Sequence, residues 1–345
     1  MKAAVLRGKL DLSVEDVPIP SIGAGDILIK VKAASICGTD VRMYKNGRAN
    51  IDAEHPLIIG HEFAGVIEAV GDAVTGYTVG QHVSVAPNIG CGTCDSCITG
   101  QTNACPDYQG FGIHIPGGFA EYVRIPAAAV EKGNVHVLHD DTSFAEAALV
   151  EPLACVYNGQ ARMGLAPGAD VLLIGAGPIG IMHAKLAFLR GAARVFVNDL
   201  SQERMDQIVE LVPGVIPVSG DIAAELQRHT GGGVDGCIIA APAPSAQTES
   251  LSYMNMNGKV LFFGGLPKER ENVMLNTNIL HYRQLSIMGC TGQSLSDYRT
   301  CAKLLDTGRI SLDEIISNRY CIDEFPIAME AAASAKGLKH VIEFA

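Results

Sequence analysis

At 345 residues with 48% hydrophobic content, the chain is longer than one ordinary domain and rich enough in apolar residues for two cores. Its formal charge is −11 and its lysines and arginines form no run, which argues against a nucleic-acid or anionic-membrane surface and for small-molecule partners. The opening "KAAVLRGKLDLSVEDV" has no apolar signal core and no later apolar run reaches the roughly eighteen residues of a membrane span, so a cytoplasmic protein is expected.

Short β-type runs fill the first 150 or so residues: "AAVLRG", "DILIKVKAASI", "FAGVIEAVG" and "HVSVAP", broken by glycine, proline and aspartate. They predict a β-rich, barrel-like domain. Within it "SICGTD" supplies Cys37, "GHEFAG" supplies His61 and Glu62, and "LVEPLACV" supplies Glu151. Singly, each is bland: a cysteine in an apolar run is usually core, and a glutamate before Pro152 is often a helix-start residue. Together they offer soft, borderline and hard donors, the mixture used by a zinc ion that keeps one exchangeable position. Between the first two motifs, "VRMYKNGRAN" places Arg42, Lys45 and Arg48 close together. They form either a solvated loop or a clamp for an anionic substrate or for cofactor phosphates.

"CGTCDSCITGQTNAC" gathers Cys91, Cys94, Cys97 and Cys105 in fifteen residues, while the other six cysteines lie apart. In a reducing compartment a tight thiol cluster is more economically a metal site than a disulfide framework. Four sulfurs with no histidine describe a closed tetrahedral zinc site, structural rather than chemical, although an iron–sulfur cluster uses the same ligation.

From about residue 155 apolar strands alternate with helical stretches: "DVLLIG" and "PIGIMHAKLAFLRG", "ARVFVND" and "SQERMDQIVELV", "GVIPVS" and "IAAELQRHT", "GVDGCIIAA" and "SAQTESLSYMN", then "GKVLFFGG". That alternation predicts an α/β, doubly wound parallel sheet, to which "RQLSIMGC" could add a sixth strand. "GAGPIG" follows the first of these strands and opens a helix, which makes Gly175, Gly177, Pro178, Ile179 and Gly180 a dinucleotide fingerprint. Asp199 ends the next strand, nineteen residues after Gly180, where a carboxylate can accept from both ribose hydroxyls and oppose a 2′-phosphate. NAD is therefore expected over NADP, with Arg204 counted among the cofactor-binding residues. After Gly289 come two helical patterns, "SLSDYRTCAKLLDTG" and "EFPIAMEAAASAKG", and a last strand "KHVIEF" that could return to the first domain.

Gly60, His61, Glu62, Gly65 and Gly71 in "GHEFAGVIEAVG" match the signature of the zinc-containing medium-chain alcohol dehydrogenases, and "CGTD", the four-cysteine lobe, "EPLA" and "GAGPIG" follow in that family's order. The resemblance covers the whole chain. It implies a GroES-like catalytic domain (1–153, resumed at 290–345) interrupted by a Rossmann NAD-binding domain (154–289). It implies two zinc ions per chain, the catalytic one held by Cys37, His61 and Glu62 or Glu151, with Thr39 contacting the substrate hydroxyl. Hydride would pass between an alcohol and the nicotinamide, and a homodimer or homotetramer is expected. Relatives often carry a histidine relay three residues beyond the serine or threonine; here Arg42 stands there, and arginine does not deprotonate in proteins.

Glutamate rather than cysteine at position 151 resembles the sorbitol and threonine dehydrogenase branch. The arginine that sorbitol dehydrogenases place after the sixth Rossmann strand is missing, since "GCTGQS" offers Gly292 and Gln293. A secondary alcohol of a polyol, cyclitol or sugar-derived substrate is expected first, a polyol or sugar phosphate such as galactitol 1-phosphate second, and threonine third. Arg42 and Lys45 are the candidate substrate contacts. A non-catalytic zinc and nucleotide-sensing module is the alternative of a different class, and the acidic charge and the complete Cys37, His61, Glu62 and Glu151 set argue against it.

Overall fold

The computed structural model describes residues 1–345 and divides them into two compact units, Met1–Ala154 with Gln293–Ala345, and Cys155–Gly292. In the first unit a sheet runs in the order Val135–Val137, His82–Val85, Glu62–Val70, Ile27–Ser35, Lys339–Glu343, Ile316–Cys321, with Tyr122–Ile125 also pairing on Ile27–Ser35. A second sheet joins Asp11–Asp16, Lys2–Gly8 and Leu57–Ile58. Ile27–Ser35 is almost wholly buried, as its β-branched apolar residues and central position require. One of its neighbours is the terminal strand, antiparallel with Val341 opposite Ser35 and Glu343 opposite Ala33.

The core beneath these strands includes Phe63, Phe111, Phe119 and Phe325, paired edge-to-face as Phe63–Phe111 (centroids 5.7 Å) and Phe119–Phe325 (4.7 Å). Each such side chain contributes about 1.5–3 kcal/mol through burial. No helix is long and apolar enough to cross a membrane.

The second unit is a six-stranded parallel sheet in the order Val215–Pro217, Arg194–Asn198, Asp170–Ile174, Val234–Ile239, Met254–Phe262, Ser286–Gly289. The strand order reverses beside Asp170–Ile174, the place where doubly wound folds take nucleotides. "RQLSIMGC" does add the sixth strand. The predicted helix in "SAQTESLSYMN" is shorter than its pattern: Pro244–Glu249 is α-helical, Ser250–Tyr253 tightens to a 3-10 turn, and Met254 already begins a strand. Two elements carry too little periodicity to be read from sequence, the mostly exposed strand Ile316–Cys321 and the short helix Thr277–Tyr282.

Candidate zinc and nucleotide sites

Three neighbouring strand ends build the first site. Ile27–Ser35 runs out into Cys37, Glu62 begins the strand whose first residue pairs with Ser35, and Lys339 begins the terminal strand, whose His340 carbonyl accepts from the Ile36 amide at 3.0 Å. Cys37 is also the N-cap of the helix Gly38–Asn46: its sulfur accepts from the Thr39 amide at 3.5 Å, and the Asp40 carboxylate returns to the Cys37 amide at 2.9 Å. The metal-binding atoms of Cys37, His61 and Glu62 all lie within 4.8 Å of one another.

The electrostatics of this cluster call for a cation. His61 Nδ1 stands 3.5 Å from Asp40 Oδ1, and Asp40 is fully buried. Burial pushes the His61 pKa down, but Asp40 and Cys37 outweigh it and hold it well above the ordinary histidine value. Asp40 Oδ1, His61 Nδ1 and Glu62 Oε1 are buried without a hydrogen-bond partner. Glu62 Oε2 accepts from Lys339 Nζ at 2.6 Å, and the same ammonium donates to Ile36 O at 2.8 Å. Burial lowers the Lys339 pKa, yet Glu62, Cys37 and Glu151 together raise it above its usual value. The donor chemistry fits zinc: thiolate, imidazole and carboxylate from the protein, with the Asp40 carboxylate facing the imidazole.

Glu151 sits in the first turn of the helix Val150–Met163 and is 7% exposed. Its carboxylate is not part of the compact three-residue set, although its charge reaches Lys339. Thr39 Oγ1 accepts from Arg42 Nη2 at 2.8 Å. The basic loop is dispersed. Lys45 Nζ donates to Ala333 O, whereas Arg48 donates from Nε to Asn50 Oδ1 and places Nη2 beside His114.

The four lobe cysteines bring their sulfurs within 4.8 Å of one another. The Cys91 amide points at Cys105 Sγ (3.3 Å) and the Cys94 amide at Cys91 Sγ (3.4 Å). Backbone donors at Thr93 and Cys94 bring the Cys91 thiol down to about 6, toward the thiolate that binds metal. This closed sulfur set fits a tetrahedral ion.

In the nucleotide-binding unit, Gly177 is the N-cap of the helix Pro178–Leu189, and Pro178 occupies its first turn. A Cβ on Gly180 would lie 1.9 Å from Gly175 O, so the helix can approach the turn only with glycine there. Asp199 Oδ2 accepts from the Ala176 amide (2.8 Å) and Oδ1 from Ser201 N (2.9 Å), which fixes the carboxylate against the fingerprint. Arg204 Nη1 lies 3.5 Å from where a Gly177 Cβ would stand. The N-terminal amides, carboxylate and guanidinium fit a dinucleotide's diphosphate and ribose.

Sequence reasoning missed Asp40, Lys339 and His114. Asp40 had a signal, an acid three residues after Cys37, the spacing of a capping box. For Lys339, 277 residues from Glu62, no local signal exists.

Comparison with known proteins agrees with these geometries. Residues 23–135 match the alcohol dehydrogenase GroES-like domain and residues 178–307 the zinc-binding dehydrogenase family. A sorbitol dehydrogenase of Bacillus subtilis is 32% identical, covering 97% of this chain and 94% of its own. An L-threonine 3-dehydrogenase of Rhizobium etli is 34% identical over 100% of this chain and 99% of its own. Among solved structures, a putative zinc-binding dehydrogenase from Sinorhizobium meliloti, bound to NADP, superposes with a TM-score of 0.90 at 31% identity over 99% of each chain. The non-catalytic reading is thereby set aside: the chain belongs to the zinc-containing medium-chain alcohol dehydrogenases, in their sorbitol and threonine dehydrogenase branch, enzymes that use zinc and a nicotinamide cofactor.

Proposed function

We propose that this enzyme oxidises a secondary alcohol of a polyol, cyclitol or sugar-derived substrate with NAD, carries two zinc ions per chain, and works in the cytoplasm as a homodimer or homotetramer. The observation that carries the catalytic reading is the cluster of half-buried Cys37 with buried His61 and Glu62, whose His61 Nδ1 and Glu62 Oε1 have no hydrogen-bond partner. Zinc held there would supply Lewis acidity to an alcohol hydroxyl, and the nicotinamide would take the hydride.

The chain's own residues have separable tasks. Cys37, His61 and Glu62 are the direct donors. Lys339 matches the charge of Glu62, so the set does not over-neutralise a dication. Glu151 stands in reserve in the neighbouring helix turn. Thr39 accepts a hydrogen bond from Arg42, which leaves a second lone pair for the substrate's hydroxyl proton and its own proton free to pass on. Arg42 cannot take up that proton, because a guanidinium has no acceptor. It polarises Thr39, and the proton leaves through water.

For the coenzyme, Asp199 has further lone pairs for two ribose hydroxyls, and its charge opposes a 2′-phosphate. Cys91, Cys94, Cys97 and Cys105 hold the structural ion. For assembly, Ser286–Gly289 ends its sheet with an unpaired edge, a surface natural proteins cover or pair.

The decisive experiment offers zinc-loaded protein a panel of polyols, cyclitols, their phosphates and threonine, and follows NADH absorbance. Turnover of a polyhydroxylated secondary alcohol with NAD is expected. Turnover confined to threonine or to simple primary alcohols would refute the substrate class.

A further inference from the structure

Arg48 and His114 face each other with two donors and nothing between them to accept. The Gly110 amide donates to His114 Nδ1 at 3.0 Å, inside a tight turn where the His114 amide bonds back to Gly110 O (2.8 Å) and the Gly112 amide to Ile115 O (2.7 Å). With Nδ1 accepting, a neutral imidazole must carry its proton on Nε2. Partial burial, and then the charge of Arg48, hold His114 below the ordinary histidine pKa. Arg48 Nη2 lies 3.2 Å from that Nε2, so N–H meets N–H.

The arginine is aimed there by other partners. Its Nε donates to Asn50 Oδ1 at 2.8 Å, and Asn50 Nδ2 is anchored on Ile113 O at 3.1 Å. The ring is steadied by Tyr108, edge-to-face at 5.1 Å. Both loops are tied to the zinc-binding segment. A Cβ on Gly112 would fall 2.5 Å from Gly60 O, the carbonyl just before His61, and Gly118 N donates to the same oxygen at 2.8 Å. Ile51, bonded through its amide to Arg48 O, is buried in the core that contains Phe63.

We propose that Arg48 and His114 form a subsite for an anionic oxygen on the substrate, a carboxylate or phosphate borne at a distance from the alcohol being oxidised. The inference rests on the dehydrogenase reading above and narrows its substrate to an acidic sugar derivative. One oxygen between the two groups would accept from both, turning a repulsive contact into two hydrogen bonds, one of them charge-assisted.

Two measurements test it on the full-length, zinc-loaded protein. In the first, histidine labelled with carbon-13 reports the His114 resonance, assigned through His114→Gln, during titration with inorganic phosphate and with acetate. The anion should move the resonance and raise its pKa by roughly 1 unit, and Arg48→Gln should abolish both effects. In the second, kcat/KM is compared for a neutral polyol, the matching aldonate and the matching polyol phosphate. Arg48→Gln should lower the anionic-to-neutral ratio roughly 10- to 100-fold, and Arg48→Lys should restore much of it, as a merely structural role would not. Whichever anionic substrate shows the larger drop identifies carboxylate or phosphate. A His114 resonance indifferent to both anions overturns the subsite, and so does an unchanged ratio, which would mark any anion bound there as adventitious. If intact protein oxidises no alcohol of the panel while phosphate still moves His114, the dehydrogenase reading is what fails.

Discussion

Lys339→Met should convert the best-matched charge in the catalytic unit into its worst. Lys339 and Glu62 are 5% and 0% exposed, so their 2.6 Å ion pair lies in the low-dielectric interior. Methionine keeps most of the side-chain volume but leaves Glu62 buried with Oε2 unpaired, in addition to the already unpartnered Oε1. Removing one member of a buried ion pair costs about 3–5 kcal/mol. At about 2–4 °C of melting temperature per kcal/mol for a unit of this size, the expected fall is roughly 6–20 °C. The loss should be largest after chelation, because a bound dication would take over part of the compensation of Glu62. The Lys339→Met, Glu62→Gln double variant should recover much of the loss, since it removes the stranded charge as well. Differential scanning calorimetry with and without chelator, beside zinc content per chain, measures all three effects. A fall below about 2 °C in the chelated single variant, or a double variant no more stable than the single, would refute the charge-matching role of Lys339.

The two metal sites should separate by mutation: Cys37→Ser should keep its fold and one zinc per chain but lose turnover at least about 100-fold, whereas Cys94→Ser should lose thermal stability or assembly first. Metal analysis, melting and turnover on both variants check this, and a stable but inactive Cys94→Ser would mean the roles are exchanged. Asp199→Ala should reduce the NAD-over-NADP preference in kcat/KM by roughly tenfold, a factor worth about 1.4 kcal/mol; an unchanged ratio removes Asp199 from ribose recognition. The pH profile of kcat should lack a histidine-like inflection at position 42, and Arg42→His should introduce one near about 6.5; superimposable profiles would separate Arg42 from the proton path. Burial without a charged partner lowers the His183 pKa to about 3, below its unfolded value, so its contribution to stability is present above about 6.5 and drains away as pH falls toward 3. Urea unfolding of the parent should steepen with acid by up to about 1.4 kcal/mol per pH unit relative to His183→Phe, and parallel pH curves would contradict it.

What could be read from the sequence was what the chain encodes locally. The alternation of strand and helix beyond residue 155, and the turn at Gly175–Gly180, are set by periodicity and by glycine's lack of a Cβ, so the nucleotide-binding unit follows from short windows. Cys37 and the His61–Glu62 pair were legible because each stands at a strand end beside a glycine-bearing motif. The basic loop divides for a geometric reason. Arg42 and Lys45 are three apart on one helix and suggest a common face, but Lys45 is drawn to Ala333 O, and Arg48 lies beyond Gly47, whose φ of +74° turns the chain away from the helix. Spacing predicts which side chains start together on a helix and not where long flexible ones find acceptors.

Lys339 shows the deeper limit. The strand "KHVIE" is recognisable as a strand, yet nothing in those five residues says that it will lie beside Ile27–Ser35, and only that pairing delivers an ammonium to a carboxylate 277 positions away. The motifs that supply Cys37, His61, Glu62 and Glu151 are all complete before residue 152, while the cation paired with the buried Glu62 arrives with the last strand. A chain ending before Lys339 would keep every recognisable signature of the zinc site and still strand the Glu62 carboxylate, at the several-kcal/mol cost of an unpaired buried charge. Pairing of the final strand beside Ile27–Ser35 therefore completes the charge balance of the candidate site as well as the sheet.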